Sequence, residues 1–130
     1  MLTITALLSI ALLFGGMTLF SFTFAAFLFT HLPAPDAGKL LRQAFPYFYL
    51  WVIGTSALCA ALAFSIDTTT AWLMVAIALS TLPTRQVLMP AINAAQDAGE
   101  KSRFNRLHGS SVVITLAHIG LAAYCLVRLA

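Results

Sequence analysis

Charge is what this sequence lacks. Only 8% of its 130 residues are Asp, Glu, Lys or Arg, against roughly a quarter in a soluble domain. No charged side chain precedes Asp36. With 61% hydrophobic residues, the chain has too little polar surface to face water all round, so its solvent is lipid. Cysteine is scarce as well. Cys59 and Cys125 each lie inside an apolar run, with no spacing of a metal motif or a redox pair, and they read as small core hydrophobes. No Gly-rich phosphate loop, nucleophile–base pair, carboxylate dyad or c-type haem attachment motif is present. A basic n-region and a small-residue cleavage site are missing from the N-terminal apolar run, which therefore reads as a retained first span rather than a signal peptide.

What is there is apolar sequence broken at regular intervals. The pattern predicts an all-α fold, an integral membrane antiparallel four-helix bundle in a single domain, with spans over about 4–30, 46–66, 71–94 and 104–129. The first span is rich in phenylalanine. Its small and hydroxyl residues, Ser9, Gly16, Thr23 and Thr30, recur by sevens, which predicts a thin face for close helix packing, and Gly15-Gly16 offers a bend. Pro33 and Pro35 end the helix. Asp36 then suits the N-cap of a short interfacial helix through Phe45. Tyr47, Tyr49 and Trp51 read as an aromatic belt at the start of the second span. Asp67 and three threonines make a tight turn into the third, which carries Pro83 and Pro90 and continues past them to about Ala94.

The net charge of +3 does not point to nucleic acid. Six of the seven basic residues, Lys39, Arg42, Arg85, Lys101, Arg103 and Arg106, fall in two polar stretches, where orientation in the bilayer accounts for them. By that rule both stretches are cytoplasmic and both chain ends face away, which suits a multi-pass protein of the inner (plasma) membrane. Arg85 lies roughly 20 Å along its helix from Ala71. A charge at that depth either faces the bundle or a partner, or snorkels to the interface.

Polar residues at membrane depth are few. On the fourth span, Asn105, His108, Ser111, Thr115 and His118 follow steps of three, three, four and three, and so form one stripe that faces other helices. With Arg85 and Asn93 on the third span, the residues Asn105, His108 and Ser111 make a candidate ligand-binding set. Arginine and asparagine can hold an anionic or carbonyl group, and histidine can carry a proton. This favours a non-enzymatic membrane protein without cofactor or metal, one that binds or moves a small molecule or serves as a subunit. Its partners are the lipid bilayer and a second copy or another membrane protein. The alternative is a membrane oxidoreductase with haem held by His108 and His31 from facing helices. His108 and His118 cannot share one iron, being about 15 Å apart along one helix.

Two blocks carry a family resemblance. GGMTLFSFTFAAFLFTHLPAPDAGKLLRQAFPYFYLW, Gly15 to Trp51, and LMPAINAAQDAGEKSRFNRLHGSSVVI, Leu88 to Ile114, resemble the transmembrane protein 205-like group of small four-span proteins. The matching positions are Pro90, Asn93, Asp97, Phe104, His108 and Ser111. Ala25-Ala26 departs from the proline-containing helix end that members of the group often have. The resemblance implies four membrane helices and supplies no reaction.

Overall fold

Prolines, a capped turn and a glycine cut the chain into four helices. The computed structural model describes Met1–Ala130. Leu32 is extended and Pro33 takes φ −54°, ψ 142°, which separates α1 (Leu2–His31) from α2 (Ala34–Ala63). Pro35 falls in the first turn of α2, where a missing N–H costs nothing. Asp67 caps α3 (Thr68–Asp97), accepting from the Thr70 N–H at 3.0 Å and the Thr70 hydroxyl at 2.6 Å. Gly99, at φ +69°, closes α3. Its N–H reaches the Gln96 carbonyl and the Glu100 N–H reaches the Ala95 carbonyl, the paired bonds that end a helix on a left-handed residue. Helix α4 (Lys101–Leu129) follows. All four are long and apolar enough to cross a bilayer, and 30 residues span about 45 Å, beyond the roughly 30 Å hydrocarbon core.

Neighbours in sequence are neighbours in space. Helix α1 packs on α2 and α4, and α3 packs on α2 and α4, an up-down-up-down ring. Both chain ends and the α2–α3 turn share one end of the bundle. The α1–α2 and α3–α4 connections share the other, called here the two-loop end.

Several expectations for the helices are corrected. The second span and the interfacial helix before it are one rod, α2, with Pro46 inside it. A proline is tolerated there because neighbouring helices can satisfy the freed backbone groups. Pro33, not Asp36, occupies the cap, and Asp36 sits in the first turn. Continuity moves the aromatic group from the helix start to its middle. Tyr49 is therefore buried in the core, while Tyr47 faces outward. The thin face of α1 serves packing only in part, since Gly16 meets the Trp51 ring of α2 while the later positions turn away. Ala6, Ile10, Leu13 and Met17 are buried, whereas Thr23 and Thr30 are exposed. A seven-residue repeat drifts about 20° per repeat around a straight helix, and a π turn at Leu19–Phe24 shifts it further. That wide turn begins just after the glycine pair, where the Leu19 N–H reaches both the Gly15 and Gly16 carbonyls. A second π turn, Thr84–Leu88, lies between the two prolines of α3.

The core fills with residues at three- and four-step spacing: Ile10, Leu13 and Met17 from α1, Val52 and Cys59 from α2, Met74 and Ile77 from α3, Ala122 and Cys125 from α4. In lipid this packing is held by van der Waals contact and interhelical hydrogen bonds rather than by water exclusion. Both bundle ends carry a two-pronged Arg–Asp bridge. Arg42 meets Asp97 at the two-loop end with two bonds of 2.8 Å. Arg128 meets Asp67 at the other with bonds of 2.6 and 3.2 Å.

The second bridge makes stability depend on acid. The Arg128 guanidinium, and then the Thr70 hydroxyl, hold the Asp67 carboxyl well below the usual carboxylate range. A carboxyl whose folded value is depressed adds stability above its unfolded value, about 3.9, and that stability is lost as pH falls through the folded value. Wild-type protein is expected to melt above Asp67→Asn by a constant margin at pH 7 and pH 5, with the margin closing below about pH 4. Thermal melts of both proteins in one detergent at pH 7, 5 and 3 check this. A margin unchanged at pH 3 would rule it out.

Candidate functional site

With α2 unbroken, Arg42, Phe45 and Tyr49 fall at steps of three and four on one face. They meet Asn93 from α3 and His108 and Ser111 from α4 around a compartment of about 50 Å³. A larger cavity, about 240 Å³, lies against it between α1, α2 and α4. Phe20, Phe22, Ala25 and Phe29 of α1 form its outer wall, and Val112, Thr115 and Leu116 of α4 its far side. Phe45, Tyr49, His108 and Ser111 line both spaces. The site thus has an apolar chamber and a polar recess, joined at those four side chains.

The π turn of α1 accounts for the chamber. Along Leu2–Thr18, α1 packs on both α2 and α4, but its last turns, Ala25–His31, pack on α2. The helix leans away from α4 as it nears the two-loop end, and the gap is the chamber. π turns within α-helices recur at functional sites. Ser111 lies about 15 Å along α4 from Lys101, on the two-loop half of the helix and within the length that a hydrocarbon core of roughly 30 Å would cover.

The polar groups here are held in place yet open to the cavity. The His108 ring stacks parallel on Phe104, with centroids 5.5 Å apart and planes 4° from each other. The Ser111 hydroxyl donates back to the His108 carbonyl at 2.7 Å. Arg42 spends its guanidinium on Asp97. The Tyr49 hydroxyl, the Asn93 amide and the His108 ring nitrogens make no hydrogen bond to the protein. No buried side-chain nitrogen or oxygen is sealed off without a partner, so the Tyr49 and Asn93 groups look into open space.

Of the residues picked out from sequence, Asn93, His108 and Ser111 come together. Arg85 does not join them. It faces α2, where its Nε donates to the Pro46 carbonyl at 3.1 Å and its Nη1 to the Gln86 side chain at 2.7 Å. Asn105 is exposed beyond the recess. Pro90 sits in the turn after the second π segment, Asp97 holds Arg42, and Phe104 orients His108. His31 packs at a tilt against the Phe27 ring and bonds its own helix, with Nδ1 3.0 Å from the Phe27 carbonyl, and it borders neither cavity. His118, lower in the stripe, bonds Ser80 of α3 at 2.8 Å. No group of three or more His, Cys, Asp or Glu side chains is placed to hold a metal ion. Sequence reasoning missed Arg42, Phe45 and Tyr49 as site residues. Their common face could be read only by carrying the helix through Pro46.

Neither the curated proteins nor the solved structures contain a match to this chain. A family model described as a domain of unknown function (DUF4149) matches residues 8–101. That stretch takes in most of α1, all of α2 and α3, and the first residue of α4, and it stops short of His108 and Ser111. Since the match covers well over half of the chain, this four-helix membrane protein belongs to the DUF4149 family.

Proposed function

We propose that this protein binds a small, largely apolar molecule that enters from the bilayer between α1 and α4 and sets its polar end against His108, Ser111, Asn93 and Tyr49. The observation that carries this reading is the shared lining: Phe45, Tyr49, His108 and Ser111 border both an apolar chamber and a polar recess. Ligand sites of this kind combine mostly apolar walls with a few placed polar groups. The reading keeps the resemblance to the transmembrane protein 205-like group and places the protein in the inner (plasma) membrane. There the two-loop end, with Lys39, Lys101, Arg103 and Arg106, faces the cytoplasm, and both chain ends face out. Its neighbour in the bilayer is a second copy or another membrane protein, because four helices of this length enclose little space of their own.

Replacing Ala25, on the chamber's outer wall, with tryptophan tests the cleft by filling it. Wild-type protein extracted from membranes is expected to carry an organic molecule detectable by mass spectrometry, and Ala25→Trp is expected to lose it while keeping its melting temperature. Equal retention by both proteins would sink the reading. So would a Soret band in the visible spectrum that disappears in His108→Ala, which would put haem in its place.

A further inference from the structure

The chemistry of the recess narrows the ligand class, and the inference rests on the cleft reading just given. We infer that the site takes a neutral ring bearing a carbonyl oxygen and a long apolar tail, the chemistry of a prenylated quinone. Charge, size and hydrogen bonding each point there.

Charge comes first. The one guanidinium at the recess, Arg42, is already met by both oxygens of Asp97, and apart from His108 no other acidic or basic side chain lines either space. A phosphate or carboxylate headgroup would find no free guanidinium or ammonium group. A neutral ligand gives up little hydration on entry, whereas an ion would have to be paired. Size comes next. The recess, about 50 Å³, is the smaller of the two spaces and suits the polar end of a ligand rather than its ring. The chamber, about 240 Å³, lies below the roughly 300–1,000 Å³ of pockets that enclose a drug-sized molecule. It accommodates one ring and leaves a long tail in lipid, through the gap where α1 leans off α4.

Hydrogen bonding separates a carbonyl from a plain hydrocarbon. The Tyr49 hydroxyl, the Asn93 NH₂ and a His108 ring N–H are three donors around one recess, and none is spent on the protein. A carbonyl oxygen accepts two hydrogen bonds, which these donors can supply. The walls suit a flat ring, with Phe20, Phe45 and Tyr49 presenting aromatic surface to the chamber and preferring offset or edge contacts with another ring.

The test uses the full chain in lipid nanodiscs and three probes: a short-tail benzoquinone, an alkylbenzene of matched tail without oxygen, and a fatty acid. Binding is measured calorimetrically for wild type, Tyr49→Phe and His108→Ala. Tyr49→Phe removes a hydroxyl with no partner in the protein, so it is expected to fold as wild type does. The quinone is expected to bind wild type saturably and at least about 10-fold more tightly than the alkylbenzene. Each variant is expected to lose about 3- to 10-fold for the quinone alone, the span of one net hydrogen bond. Equal binding of quinone and alkylbenzene, or tighter binding of the fatty acid, would overturn the quinone class while leaving the cleft standing. Failure of all three probes to bind would overturn both.

Discussion

Gly16→Leu is expected to be among the most damaging single changes in this protein, and Trp51→Ala is expected to reverse much of the loss. The reason is a close approach between α1 and α2. A Cβ built at Gly16 would overlap the Cη2, Cζ3 and Cζ2 atoms of the Trp51 ring. Small residues let membrane helices come together in this way. Alanine at position 16 asks the ring tip to swing aside into the outward groove that it shares with Tyr47 and Phe48, which is a modest demand. A leucine asks for space that neither helix has, and overpacking of that kind costs about 1–3 kcal/mol. The Gly16→Leu, Trp51→Ala double variant should melt above Gly16→Leu alone, because the smaller residue at 51 vacates the volume that leucine needs. Thermal melts of the four proteins in one detergent form the cycle. Strict additivity, with the two losses simply summing, would show that the helices do not meet at this pair.

Arg85→Ala should follow close behind, with Arg103→Ala almost silent beside it. Arg85 lies about 18 Å along α3 from Asp97, deep enough that a charge needs a partner. It finds backbone and amide oxygens: the Pro46 carbonyl at 3.1 Å and Gln86 Oε1 at 2.7 Å. Interhelical polar contacts in membranes are worth about 0.6 kcal/mol on average and up to about 1.7, and truncation also removes packing against α2. We expect a total near the upper end, about 1–2 kcal/mol. Arg103 bonds Glu100 at 3.4 Å with both side chains about half exposed, the sort of pair worth well under 1 kcal/mol. Equal melting temperatures for Arg85→Ala and Arg103→Ala would refute the assignment of Arg85 to the α2–α3 contact.

The fold was legible in the sequence because lipid imposes simple rules. Four apolar runs, proline at one break, Asp67 at another and Gly99 at the third allow little else. The polar stripe of α4 was legible only in part, since Asn105 and His108 at its upper end are exposed. Ser111 and His118 can avoid lipid only by facing inward, and both are buried. Depth was harder to read. Arg85 and Asn93 stand eight residues apart on one helix, and composition does not say that they serve different neighbours. The proline at 46 hid the most, since a proline between a basic segment and an apolar one reads as a boundary. Only a neighbouring helix makes it tolerable, and neighbours are invisible in a single chain read residue by residue. The π turn of α1 leaves no sequence signal beyond the glycine pair before it, so the divergence of α1 from α4, and with it the chamber, belongs to tertiary structure alone.

The two Arg–Asp bridges also order events during synthesis. Arg42 meets a partner 55 residues later and Asp67 one 61 residues later. At about 5–20 residues per second, Asp67 waits roughly 3–12 s on the ribosome's schedule before Arg128 is made. For that interval the carboxylate on the α2–α3 turn has no guanidinium to meet, and the final helix must bring one to that end of the bundle. The bridge at that end of the bundle is therefore the last to close, and it closes only on a chain whose fourth helix has crossed in the right direction.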